Sequence, residues 1–213
     1  MSVREVSWET KPLGLPDSAE MPRYQWTRDQ YHDLMTSGIL KSGAPYELLA
    51  GEIVRKVTSN QPHVIACRRT NRQLAQIFGI DFVQILAPIG IGTHSEPEPD
   101  IAVTVLTQGQ YLIRGTPKAR DLRLAIKVSD STLQFDLTTK AHLYARAGVL
   151  EYWVLDTNGR QLHVFCDPTA DGHISQTVYG ESESVAPLGA PGVPVLVGPC
   201  CRNSGAEVKL SAT

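Results

Sequence analysis

Two β-rich runs, Glu151-Tyr152-Trp153-Val154-Leu155 and Gln161-Leu162-His163-Val164-Phe165, flank Asp156-Thr157-Asn158-Gly159. An Asn-Gly step between two such runs is the strongest short-range hairpin signal, so this part of the chain is sheet and an all-helical bundle is excluded. Around it lie two segments of helical period. In 62–78 the apolar Ile65, Leu74, Ile77 and Phe78 share faces until Gly79, and in about 136–147 Leu137, Ala141, Tyr144 and Ala145 form a stripe capped by Gly148. A shorter helix over about 28–37 opens on the capping box Thr27-Arg28-Asp29-Gln30. Tyr46–Leu49 and Ile53–Val57, separated by Ala50-Gly51-Glu52, read as a second hairpin. Extended pieces are expected at 82–86, about 88–93, 99–105 and 124–129, with a polar loop over 107–121. This order places a mixed β-sheet between helices, an α/β (α+β) class.

The remaining stretches bound the domain. Residues 1–23 mix Pro12, Gly14, Pro16 and Pro22 with charges and read as an arm; 24–197 form the domain; 198–213 form a tail. With 42% hydrophobic and 20% charged residues the chain builds a core without disulfides. No run approaches a membrane span and Met1-Ser2-Val3-Arg4-Glu5 lacks a secretory signal's apolar block, so a cytoplasmic protein with no membrane partner is expected. A net charge of −2 argues against a surface coated with basic residues for nonspecific nucleic-acid binding.

Several chemistries are excluded by missing motifs. There is no Gly-Lys-Ser/Thr phosphate loop, no G-x-S-x-G elbow and no H-E-x-x-H, and Gly90-Ile91-Gly92 lacks the third glycine of a dinucleotide fingerprint. Cys67, Cys166, Cys200 and Cys201 contain no C-x-x-C pair and read as reduced thiols without a structural role.

Four features carry charge where chemistry could use it. Glu98-Pro99-Asp100 runs into an apolar strand, a stiffened carboxylate suited either to a turn or to a hard cation. In Leu124–Ser129, alternation puts Lys127 and Ser129 on one face; Lys127 either rests at the sheet rim with its amine in water or serves a function. Asp136 and Lys140 stand four apart on one helix, the spacing of a solvated stabilising pair. Arg68, Arg69 and Arg72 crowd one side of the 62–78 helix, either as a solvated face or as phosphate contacts.

These residues also fall into a family pattern. Tyr46-Glu47-Leu48 with Gly51-Glu52, His63, Glu96-Pro97-Glu98-Pro99-Asp100, Ser129-Asp130-Ser131-Thr132, Asp136, Lys140, and Tyr144-Ala145 through Gly148-Val149 to Glu151-Tyr152-Trp153 together resemble the Uma-type restriction endonucleases of the PD-(D/E)XK nuclease superfamily. The resemblance covers roughly 24–197. It implies a restriction-endonuclease-like core and an enzyme, a Mg²⁺- or Mn²⁺-dependent DNA endonuclease. Asp100 would be the first metal carboxylate, Lys140 the lysine, and Glu98 an auxiliary ligand. Glu47, Glu52, His63, Ser129, Asp136 and Tyr144 are further motif positions. The pattern has a glutamate two residues before Ser129, and here that position is Lys127, which removes a ligand and repels the ion. The alternative is a non-catalytic nuclease-fold protein that binds DNA through Arg68, Arg69 and Arg72, or a homodimer pairing through the Trp153 strand and its hairpin.

Overall fold

The computed structural model describes residues 23–201 except 42, 58 and 59. All of the expected arm but Arg23, and most of the expected tail, lie outside the described residues. Helix α1 (Arg28–Thr36) starts at the capping box, with the Thr27 hydroxyl accepting from Gln30 N–H. Strands β1 (Tyr46–Leu49) and β2 (Glu52–Arg55) pair through Ala50 and Gly51, whose φ angles of 48° and 82° are those of the two-residue turn that matches strand twist. A Cβ on Gly51 would stand 2.9 Å from the Gln25 Cα, on top of the positive-φ strain. Gly51→Ala is therefore expected to cost about 2–3 kcal/mol, read as a lowered melting temperature; an unchanged melt would contradict this packing.

Helix α2 (Gln61–Phe78) follows, capped by Asn60, and β3 (Val83–Ile85) starts the main sheet. After β4 (Ile101–Thr104) come α3 (Gln108–Arg114), β5 (Leu122–Ser129), and a helical stretch made of α4 (Leu133–Phe135), a π turn over Asp136–Lys140 and α5 (Ala141–Arg146). Strands β6 (Glu151–Asp156), β7 (Gln161–Thr169) and β8 (Gly172–Gly180) complete the sheet. A small ladder, β9 (Ser184–Val185) with β10 (Val195–Leu196), leads to α6 (Val197–Cys201). The six-stranded order is β3-β4-β5-β6-β7-β8, antiparallel except where β5 and β6 run parallel across the helical crossover. This is the expected mixed sheet flanked by helices.

Strand alternation divides the core. Ile101, Val103, Leu124, Ile126, Val128, Trp153 and Leu155 pack with α2 and α6, while Ala102, Ala125, Tyr152 and Val154 pack with Ala141 and Tyr144 of α5. Several expectations need correction. The piece at 88–93 makes only isolated bridges, Gly90 to Lys118 and Ile91 to Ser95. The expected loop 107–121 contains α3, opened by a Thr107/Gln110 capping box. The helix expected from 136 begins at Leu133. Gly159 supplies space beside the Asp156 carboxylate, and the positive φ of that hairpin falls on Arg160. Cys67, Cys200 and Cys201 are buried core residues and so do pack structurally. Strand β6, which carries Trp153, lies inside the sheet between β5 and β7, so the homodimer contact imagined through it has no free edge. Among the described residues no helix is long and apolar enough to cross a membrane.

Candidate functional site

A cleft of about 640 Å³ opens where the first hairpin, the start of α2 and the π turn meet the ends of β4 and β5. The β1–β2 hairpin contributes Glu47 and, just past β2, Lys56. Asn60 and His63 come from the start of α2, Glu98 from the connector, Asp100 from the start of β4, Lys127 from β5, and Asp136 and Lys140 from the π turn. Its described lining carries five carboxylates and four lysine or arginine side chains, so it is close to charge balance.

The central contact follows from register. Ile101 pairs with Ile126, and one step further the antiparallel ladder sets Asp100 beside Lys127. Lys127 Nζ lies 2.8 Å from Asp100 Oδ2, which also accepts the Val128 N–H at 2.7 Å, while His63 Nε2 lies 3.4 Å from Oδ1. Burial is the largest single influence and disfavours both charged forms, yet the surrounding charges and hydrogen bonds together outweigh it. Asp100 is held well below the usual carboxylate range by Lys127 and then His63, and Lys127 is raised by Asp100 and then Asp136. The Lys127 side chain is only 13% exposed, which corrects the reading of an amine in water at the sheet rim.

Asp136 and Lys140 are not a solvated pair. Both are buried, and Lys140 donates to Glu47, with Nζ 2.7 Å from Oε1 and 3.0 Å from Oε2. Burial and then the neighbouring Lys127 lower the Lys140 ammonium, with Glu47 pulling the other way. Asp136 accepts from the Thr132 hydroxyl at 2.7 Å, and Tyr152 donates at 3.1 Å to its main-chain carbonyl. A π turn inside a helix re-aims side chains and exposes carbonyls, and here it turns both charged residues inward.

The other anticipated residues divide. Glu98 lines the cleft with Asp100 and pairs with Lys56 at 2.7 Å. Glu47 accepts from the Glu98 N–H at 3.2 Å, whereas Glu52 lies exposed outside the cleft and pairs with Arg23. Ser129 is buried, its hydroxyl 3.4 Å from that of Thr132. Tyr144 lies beneath the site against Tyr152, with ring centroids 4.7 Å apart. Its hydroxyl has no hydrogen-bond partner among the described residues, and burial followed by Glu47, Asp100 and Asp136 raises it well above the usual phenol range. Arg68 and Arg72 stand one turn apart on the exposed side of α2, Arg69 is partly buried, and none of the three lines the cleft. Lys56 and Cys67 were missed. Cys67 stands four residues after His63, and its Sγ lies 3.6 Å from His63 Nδ1. Burial and then the Asp100 charge push that thiol up to about 12.

Mg²⁺ demands near-octahedral oxygen ligands. Asp100 Oδ2 is engaged by an ammonium and an amide, both Glu47 oxygens by Lys140, one Glu98 oxygen by Lys56 and one Asp136 oxygen by Thr132. An ammonium in contact with the Asp100 carboxylate also repels a hard divalent ion that has only that carboxylate to neutralise it. As they stand, these residues do not fit a hard cation at Asp100.

Comparison with known proteins gives the family and the fold. Residues 28–197, about four-fifths of the chain, match the Uma2 family model, described as "Putative restriction endonuclease". Among solved structures, one described as a putative nuclease belonging to DUF820 from Anabaena variabilis is similar, with a TM-score of 0.63 at 15% sequence identity over 82% of this chain and 97% of that one. At that identity the likeness is one of fold. No curated protein matches.

Proposed function

We propose, from the premise that this chain belongs to the Uma2 family described as "Putative restriction endonuclease", that its cleft is directed at DNA phosphodiesters and that Lys127 holds down Mg²⁺-dependent cleavage. The observation that carries this is the 2.8 Å contact between Lys127 Nζ and Asp100 Oδ2. A nuclease of this pattern uses Mg²⁺ or Mn²⁺ to activate water and offset charge on phosphate. This chain has put a fixed ammonium where the pattern has a metal-binding glutamate.

The remaining groups still suit a phosphate backbone. Each ammonium carries three donors, so Lys127 and Lys140 keep N–H groups that a phosphate oxygen can meet, stabilising negative charge at the cleft floor. Arg55 is exposed on the cleft wall, and Arg68 and Arg72 lie farther along α2, whose start opens on the cleft. They supply sequence-independent contacts to flanking phosphates. The three pairs Asp100–Lys127, Glu47–Lys140 and Glu98–Lys56 also support a second reading, a DNA-binding protein with no cleavage at all.

The full wild-type chain is expected to bind a labelled DNA duplex with salt-dependent affinity that EDTA leaves unchanged, and to nick supercoiled plasmid slowly or not at all with Mg²⁺. Replacing Arg68 and Arg72 with alanine should reduce the slope of log affinity against log salt by about 2. Rapid Mg²⁺-dependent nicking by wild type would overturn the proposal, as would absence of DNA binding at low salt. Slow metal-dependent nicking supports the attenuated enzyme, and none supports the binding protein.

A further inference from the structure

His63 and Asp100, which line the cleft, and the buried Cys67 bring one nitrogen, one oxygen and one sulfur donor within 4.8 Å of one another. The two α2 residues are four apart, so helix geometry stacks them on one face. Asp100 comes from the start of β4 and is fixed by Lys127 and the Val128 N–H through Oδ2, which leaves Oδ1 turned toward His63. We propose that this triad is a site for a borderline-soft divalent cation of the Zn²⁺ or Co²⁺ kind, a different ion from the Mg²⁺ of the family pattern.

Donor chemistry and spacing support this. Tetrahedral bonds of about 2.0–2.3 Å to nitrogen, oxygen and sulfur place neighbouring donors roughly 3.4–3.6 Å apart. His63 Nε2 lies 3.4 Å from Asp100 Oδ1 and Cys67 Sγ lies 4.0 Å from the same nitrogen, with all three donors within 4.8 Å, so side-chain rotations that bring the sulfur about an ångström closer to the carboxylate close the cage. His63 lines the open cleft, which leaves water a path to the fourth position. A hard cation finds one free carboxylate oxygen there, whereas Zn²⁺ or Co²⁺ finds imidazole and thiol as well. Binding displaces the Cys67 proton to solvent, and thiolate and carboxylate charges then neutralise the ion while Lys127 remains paired with Oδ2. A hydrogen-bonded Cys–His–Asp nucleophile is the competing arrangement, but a thiol this buried lacks the exposed, electropositive setting that activates one.

The site does not depend on the DNA reading, and its test is spectroscopic. Full-length metal-free protein titrated with Co²⁺, with no added thiol, should develop visible bands of tetrahedral cobalt and a thiolate-to-cobalt charge-transfer band, both removed by Zn²⁺. Cys67→Ala should abolish the charge-transfer band and weaken Zn²⁺ binding by about tenfold or more. His63→Gln, at the cleft wall, should weaken it similarly and decides the matter should the Cys67 variant melt early. Cobalt binding without the charge-transfer band, Zn²⁺ affinity indifferent to both substitutions, or no binding by folded wild type would overturn the site. Nicking assays leave these outcomes unaffected, so the two proposals fail separately.

Discussion

Lys127→Glu is expected to make the full chain nick supercoiled DNA with Mg²⁺ or Mn²⁺ at least about a hundredfold faster than wild type. The substitution acts twice. It removes an ammonium from beside Asp100 and supplies an anionic oxygen there, where the proposed reading expects a metal-binding glutamate. At about 4 Å and an effective dielectric near 20, each unit-charge pair is worth of order 4 kcal/mol, and the ion is divalent. Water in an open cleft discounts that heavily, yet about 3 kcal/mol suffices for the stated factor. The variant has a second signature that needs no DNA. The introduced carboxylate would stand beside Asp100, with Glu47 and Asp136 in the same lining. The metal-free variant should therefore melt below wild type, and Mn²⁺ should restore it. Lys127→Gln, which deletes the charge without adding a ligand, should fall between the two in metal affinity. A Lys127→Glu protein that neither nicks DNA nor gains stability from Mn²⁺ would contradict the role assigned to Lys127.

Lys140→Met should cost about 3–5 kcal/mol of stability, a melting temperature lower by roughly 6–20 °C. Lys140 and Glu47 are both almost wholly buried, and Lys140 bonds both oxygens of that carboxylate. Removing the ammonium leaves Glu47 with the Glu98 N–H at 3.2 Å and no paired cation. The double variant Glu47→Gln with Lys140→Met deletes both charges, so it should recover most of the loss. That recovery separates an unpaired buried charge from simple loss of packing. A single variant melting within about 2 °C of wild type would show that Glu47 is better solvated than its burial implies.

Local signals explain what the sequence disclosed. The Thr27/Gln30 box, the Ala50-Gly51 turn, the stripe of α2 and the Asn-Gly hairpin each lie within a few residues and hold in the structure. Strand β8 was not anticipated. Gly172 to Gly180 is an edge strand whose residues are mostly exposed or half-buried, and it becomes strand by pairing with β7. Helix α3 hid behind Gly109 and the nearly fully exposed Leu112 and Ile113, leaving only its capping box as a signal.

The site was legible in parts. Asp100 and Lys127 stood out from the residues themselves and Lys140 only through the family resemblance, but the partner of each is fixed by long-range geometry. The Asp100–Lys127 pair needs the β4–β5 register, and the Glu47–Lys140 pair joins residues 93 positions apart. Cys67 was passed over because a lone cysteine on an amphipathic helix reads as core, which it also is. The spacing from His63 was the available signal, and it gains meaning only once β4 brings Asp100 alongside.

The central claim is that Lys127 occupies the place of a hard metal ion beside Asp100. Crystals of the wild-type chain and of Lys127→Glu, both soaked in Mn²⁺, test it most directly through anomalous density at that carboxylate. Wild type should show Lys127 Nζ against Asp100 with no manganese between them, and Lys127→Glu should show manganese held jointly by Asp100 and the introduced carboxylate. Manganese bound to Asp100 in wild type, with the Lys127 side chain swung away, would contradict it.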